Sequence, residues 1–381
     1  MRELDSEGTI GIISDDVDEP YTRPALSKKL WTDPDFTLDQ VPLDTANDTG
    51  ADIVLETTVT AIRTAEREVE THRAGGDDDT FTYDTLLIAT GGRPVPLPID
   101  GAADSDRVLT FRTFEDYRHL RALSATGARI AVVGGGYIGS ELAAALVQQG
   151  NATTLIHTGE VLGGDIFSAD LARHFASLFE GAGVDLVSGR VVAGVAGEAG
   201  VRLDLEGGAI IETDAVVSGL GIAVASDVAE AAGIHVDDGI VVDERLRTSA
   251  ERVFAAGDVA SYPDRILGRR RVEHVDNAEQ MGRQAGRNLA GADEPYAHTP
   301  YYYSAVFGTR YEAVGTLDSS LETVEDWAEP FERGVVYYLD DGEVVGVLLW
   351  NIEDQTDAAR TVIDDGSGVT RETLIGRIPT V

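Results

Sequence analysis

The pattern of apolar and polar positions is clearest between Ile130 and Gln149. Ile130 to Val133 are four apolar residues in a row, as in a strand buried on both faces. Glu141 to Gln149 is Ala/Leu-rich and helical in pattern. Between them Gly134, Gly136 and Gly139 stand in G-x-G-x-x-G spacing. Other runs predict strands over Thr9 to Ser14, Ile53 to Ile62, Phe81 to Thr90, Thr153 to Ile156, Val184 to Val187, Arg202 to Leu205, Ala215 to Gly219 and Glu251 to Ala256. Helices are predicted from Phe114 through Leu123, over Leu171 to Ala182 and from Asp276 to Leu289, with Met1 to Glu7 read as the tail of another. From Tyr296 the composition changes. Tyr301 to Tyr303, Val335 to Leu339 and Val344 to Trp350 predict an antiparallel sheet, with Asp341-Gly342 as a hairpin turn and Ala358 to Ile363 as a helix on it.

Strand, glycine turn and helix in that order form a dinucleotide fingerprint. The glycines permit a tight turn and let backbone approach a pyrophosphate at the helix N-terminus, where unpaired N–H groups and the dipole favour anions. The bare spacing also occurs in turns with no ligand. The following strand ends at His157, with Glu160 and Asp165 nearby and no arginine before Arg173. A 2′-phosphate would meet repulsion there, so NADH is expected over NADPH. Farther along, Gly257-Asp258 offers a close backbone approach and an acceptor for sugar hydroxyls. His274 stands where a helix begins, although a histidine there also serves as an ordinary core residue.

Composition narrows the class. The 381 residues carry a net charge of -37, with 67 acidic against 30 basic residues, and the only lysines are Lys28 and Lys29. That balance argues against nucleic acid, which needs clustered cations, and against an anionic membrane surface. With 43% hydrophobic residues the chain is not disordered in composition. It reads as a protein adapted to concentrated salt, where charge repulsion is screened within ~3 Å at molar ionic strength. No cysteine is present, which excludes disulfides, thiolate zinc sites and a redox dithiol. No metal site is expected. No apolar run is long enough for a membrane span and no signal-peptide core follows Met1, so a cytoplasmic protein is expected. Retaining Lys28 in a chain that otherwise uses arginine suggests a position that wants a compact ammonium.

Ser14-Asp15-Asp16 with Pro20 to Lys28, Ala89 to Gly92, Gly134 to Glu141, Ala256 to Asp258, Gly268 to His274, Tyr311 to Ser320 and Val345 to Ile352 together resemble the FAD-dependent pyridine-nucleotide oxidoreductases. Within them the chain looks most like the apoptosis-inducing-factor and ferredoxin/rubredoxin reductase branch. The resemblance implies an α/β fold of two nested Rossmann-like domains, for FAD (1–112 and 240–295) and NAD(H) (113–239), plus a C-terminal α/β domain (296–381). It implies FAD contacts at Asp15, Asp16, Arg23, Lys28 and Val59, at Thr90 and Gly91, and at Asp258, His274, Val275 and Tyr303. NADH contacts are implied at Gly134, Gly136, Tyr137, Ile138 and Gly139, and at Gly221, Glu273, Glu312 and Asn351. Lys28 paired with Glu141, together with Tyr137 and His274, would form the catalytic group around the flavin.

The implied reaction is hydride transfer from NADH to FAD. Electrons would then pass to a small iron–sulfur protein, a quinone or oxygen, in a monomer or homodimer. Arg269 to Arg271 is the dense basic island available to dock an acidic partner. Three departures stand out: the family's first G-x-G-x-x-G is missing ahead of Thr9, an expected arginine is Val95, and an expected tryptophan is Tyr303. The missing motif makes the FAD domain N-terminally incomplete, as a start codon assigned too late would. It also opens a second reading, a flavin-free NADH-binding or scaffold protein.

Overall fold

The computed structural model describes every residue except Ala74, Ser367 and Val381. The chain divides into two compact units. The first comprises Met1–Arg23, Thr37–Arg93 and Ala223–Pro300, and the second comprises Pro24–Phe36, Pro94–Ile222 and Tyr301–Val381.

In the second unit a five-stranded parallel sheet runs in the order Asp185–Ser188, Thr153–His157, Ile130–Val133, Ala215–Ser218, Val108–Thr110. The central strand is flanked by its sequence successor on one side and by a much later strand on the other. Its carboxyl end is therefore the point where strand order reverses, the place where open α/β sheets bind ligands. Ile130, Ala131, Val132 and Val133 are all buried, as a fully covered parallel strand requires. The next helix, Tyr137–Gln148, packs Leu142, Ala143 and Leu146 inward. It starts four residues earlier than its apolar pattern predicts, because its first turn contains Gly139, a poor helix former retained for another reason given below.

The same unit holds a five-stranded antiparallel sheet ordered Tyr301–Val306, Thr309–Gly315, Glu343–Trp350, Arg333–Asp340, Glu322–Glu329, with helix Thr356–Asp364 against it. Asp341 and Gly342 both have positive φ (46° and 79°), as a two-residue I′ hairpin demands.

The first unit contains two short parallel pairs, Gly11–Ile13 with Asp52–Val54 and Leu86–Ile88 with Val253–Ala255. It also holds an antiparallel sheet of Thr57–Arg63, Glu68–Arg73 and Asp78–Thr82, and the helix Val275–Leu289. Two predicted strands break here. Ile53 to Ile62 divides at Glu56, which takes φ 52° so that the chain leaves one sheet for another. Phe81 to Thr90 divides after Thr82, and Leu86–Ile88 pairs elsewhere. β-Branched runs mark extended backbone but not the sheet it joins. Met1 to Asp5 forms a single turn, with Leu4 and Asp5 donating to the Met1 carbonyl, rather than a helix tail.

Candidate active site

The glycine turn at Gly134–Gly139 divides its glycines by role. Gly134 has φ 119°, and a Cβ there would lie 2.4 Å from the Gly219 carbonyl oxygen. A Cβ on Gly139 would lie 1.9 Å from the Gly134 carbonyl oxygen, so helix and strand can approach this closely only without a side chain. Gly136 is different: a Cβ there would meet nothing within 4 Å. Packing does not require a glycine at 136, and its bare backbone faces open space at the start of a twelve-residue helix. This is the arrangement a pyrophosphate needs. Beside it lies a cleft of about 210 Å³ whose walls include Gly135, Gly136, Tyr137, His157, Thr158 and Tyr311. Ile138 is on the exposed face of the helix and Gly221 is exposed with φ 84°.

Tyr137 and Tyr311 make a hydroxyl-bearing aromatic wall, their ring centroids 6.0 Å apart, and Tyr311 stacks on Trp350 at 5.6 Å and 7°. Burial, reinforced by neighbouring tyrosine and Glu141 charge, pushes both phenols well above their ordinary pKa, so both are neutral donors at any physiological pH. His157, which is buried, has its pKa lowered by desolvation, against weaker opposing influences of the Gly159 backbone and Asp165. Among the described residues its Nδ1 has no hydrogen-bond partner.

One helical turn from Tyr137, the Glu141 carboxylate is buried and fully used. Oε2 accepts from Lys28 Nζ at 2.9 Å and from Ser27 Oγ at 2.6 Å, and Oε1 accepts from Ser304 Oγ at 2.7 Å. Sequence reading missed both serines. Ser27 adjoins Lys28 and was detectable by position, whereas Ser304 lies 163 residues from Glu141. Tyr303 packs beside two cations, Lys28 Nζ at 5.0 Å and Arg310 Cζ at 4.7 Å from its ring centroid. Arg310 was also missed. Its guanidinium hydrogen-bonds Glu312, and its backbone N–H donates to Asn351 Oδ1. Glu312 is buried and held by this ion pair, and Asn351 donates in turn to the Glu332 carbonyl. Arg310 thus fixes two positions singled out for NADH.

In the first unit Asp15 is exposed at the end of its strand. Asp16 accepts from the Tyr21 hydroxyl at 2.8 Å and lies 3.8 Å from Arg23, so its carboxylate is occupied within the unit. Val59 is half-buried in strand Thr57–Arg63. The Thr90 hydroxyl donates to the Ala225 carbonyl, and Gly91 has φ 59°. Gly257 turns at φ 76° into the half-buried Asp258. His274 is the N-cap of helix Val275–Leu289, and its Nδ1 accepts from the Asp276 amide at 3.3 Å. The half-buried Asp258, the Thr90–Gly91 turn and an imidazole at a helix start are the kinds of group that hold the hydroxyls and carbonyl oxygens of a flavin nucleotide, so the set fits FAD. The basic island also makes contacts within its own unit. Arg269 donates to the Val242 and Ser261 carbonyls, Arg270 to Leu267, and Arg271 pairs with Asp238 and Glu273. Among the described residues no cluster of His, Asp and Glu is arranged to hold a metal, and no helix is long and apolar enough to cross a membrane.

Residues 1–282 match the family model described as pyridine nucleotide-disulphide oxidoreductase, and residues 285–330 and 325–365 match the C-terminal domain model of the mitochondrion-associated apoptosis-inducing factor. The chain belongs to the pyridine nucleotide-disulphide oxidoreductase family. The activity that goes with this membership is that of an FAD-dependent NAD(P)H oxidoreductase using FAD and NAD(H). The chain is 34% identical over 388 residues to the 5,5′-dehydrodivanillate O-demethylase ferredoxin reductase subunit of a Sphingobium species, covering 98% of this chain and 91% of that one. It is 28% identical to a putative apoptosis-inducing factor 1 of Drosophila melanogaster, across 96% of this chain and 61% of that longer protein. In structure it is similar to the reductase of a covalent putidaredoxin reductase–putidaredoxin complex, with a TM-score of 0.86 at 28% identity, covering 96% and 89% of the two chains. The flavin-free reading finds no support among these relatives.

Proposed function

We propose that this protein takes hydride from NADH onto FAD and hands the electrons to a small ferredoxin-like iron–sulfur protein. The observation that carries the nucleotide half is the division of roles in the glycine turn, with two positions closed by packing and Gly136 left open toward a cleft at the sheet's switch point. The acceptor half rests on the similarity to ferredoxin reductase components and to a reductase joined to its putidaredoxin.

The flavin supplies the redox chemistry; the chain's part is binding and orientation. Gly136 seats the pyrophosphate on the turn that Gly134 and Gly139 allow, while Ile138 and Gly221 border the approach. Tyr137, neutral and set in the cleft wall, gives the nicotinamide an apolar face to lie on. Glu312 and Asn351, fixed by Arg310, would orient its amide, with Glu273 as a further NADH contact. Lys28, held by Glu141, is a fixed ammonium for the reduced, anionic side of the chemistry, and Tyr303 lies against it. Asp15, Thr90, Gly91, Asp258, His274 and Val275 would hold FAD, with Asp16, Arg23 and Val59 shaping its surroundings. Holding reactants within ~3–3.5 Å supplies several kcal/mol of the barrier reduction. No cysteine is available to relay electrons through a dithiol.

The test is NADH oxidation in molar KCl by protein loaded with FAD, with a ferredoxin coupled to cytochrome c as acceptor. Ferredoxin-dependent reduction is expected. NADH oxidation that feeds only quinones or oxygen would overturn the acceptor, and a protein that binds neither FAD nor NADH would overturn the whole reading.

A further inference from the structure

The cleft at the glycine turn reaches past the end of strand Thr153–His157. Thr158, one residue past strand Thr153–His157, forms part of the wall of that cleft and also of a second hollow of about 280 Å³. The second hollow is completed by Gly189 and Arg190 on one side and by Glu206 and Gly207 on the other. The Gly189 amide donates to the His157 carbonyl at 2.8 Å, which fixes the rim of the second hollow to the end of the strand bordering the first. A dinucleotide seated on the glycine turn and extending over the neighbouring strand would put its adenosine sugar at this junction. At the strand end, where a carboxylate or an arginine usually reads the 2′-position, stands the buried His157, with Nδ1 unpartnered. Asp165 stands in the wall of the first cleft, and an opposed pair of charges lines the second hollow. Arg190 Nε lies 3.9 Å from Glu206 Oε2, with the side chains 68% and 72% exposed. A pair that open and that loose is worth about 0–1 kcal/mol, so either partner can exchange it for a ligand.

Resting on the NADH reading above, we propose that Arg190 and Glu206 read the adenosine 2′-position in opposition. Glu206 opposes a 2′-phosphate and occupies Arg190, which makes NADH the preferred donor. Arg190 is the latent phosphate ligand, since a guanidinium matches a phosphate in charge and fork geometry. This pair of surface charges therefore adds to the repulsion from Asp165, and removing Glu206 shifts the balance toward NADPH.

The test measures binding of adenosine 5′-monophosphate and adenosine 2′,5′-bisphosphate by calorimetry, which needs neither flavin nor turnover. It is run at the lowest salt that preserves the fold, because the discrimination is electrostatic and screened. Glu206→Gln is expected to tighten the bisphosphate roughly tenfold while moving the monophosphate less than about twofold; tenfold corresponds to about 1.4 kcal/mol. Arg190→Gln in the Glu206→Gln background should reverse the gain. Both positions are exposed, so neither change threatens folding. An unchanged affinity ratio in Glu206→Gln overturns the proposal. If neither probe binds although NADH is oxidised, the adenosine lies elsewhere and this inference fails alone. If the probes bind with the expected ratio but NADH is not oxidised, the inference stands and the functional reading fails.

Discussion

Replacing Lys28 by methionine removes, among the described residues, the only cation hydrogen-bonded to Glu141, whose side chain is 1% exposed. Breaking a buried ion pair by deleting one partner costs about 3–5 kcal/mol, because the remaining charge is left desolvated. Here Ser27 and Ser304 still donate to Glu141, and Lys28 is itself 18% exposed, so the lower end applies, about 3 kcal/mol. For a unit of roughly 150–250 residues that lowers the melting temperature by about 6–12 °C. The matching double variant, Lys28→Met with Glu141→Gln, leaves a neutral amide beside an apolar chain and should recover at least half of the loss. Urea melts of the three proteins in molar KCl give the comparison. A single variant that loses less than about 1 kcal/mol, or a double variant no better than the single, would refute the view that the charge on Glu141 makes Lys28 indispensable.

Gly136→Ala should leave stability within about 0.5 kcal/mol and weaken NADH binding about tenfold, as read by KM, because the space it fills is the ligand's. Gly139→Ala should instead lower stability by about 1–3 kcal/mol, since its Cβ collides with the Gly134 carbonyl; equal effects at both positions would contradict the division of roles. The raised phenol pKa values of Tyr137 and Tyr311 mean that above about pH 10 the unfolded chain loses protons the folded chain keeps. Stability is then complete below pH 10 and falls by up to about 1.4 kcal/mol per pH unit per tyrosine above it, with the tyrosinate absorbance of these two residues, out of the twelve tyrosines, appearing only on unfolding. Withdrawing KCl should lower the melting temperature by tens of degrees because a net charge of -37 is then unscreened; an unchanged melt would refute the salt-adapted reading.

The glycine turn was legible because its information is local: the strand, the three glycines and the helix lie within twenty residues. The hairpin at Asp341-Gly342 was legible for the same reason. The setting of Glu141 was only partly so. Nothing in the spacing of residues 27, 28, 141 and 304 connects them, and the ion pair was reached through family resemblance while both serines were passed over. Arg190 escaped because the sequence search looked for cations along the loop after His157, whereas the cation arrives from the far end of the next strand. Arg269 to Arg271 were legible as an island but not in what they touch. Three adjacent arginines suggest a docking surface in sequence, yet their guanidiniums are directed at carbonyls and carboxylates of their own unit.

Trp350 lies fully buried, its indole parallel to Tyr311, and Tyr311 in turn helps wall the nucleotide cleft. The chain has only three tryptophans. Emission from this one is separated from an arriving ligand by the thickness of a single phenol ring. The protein consequently carries an intrinsic optical gauge of cleft occupancy, which a titration can follow without label, acceptor or catalysis.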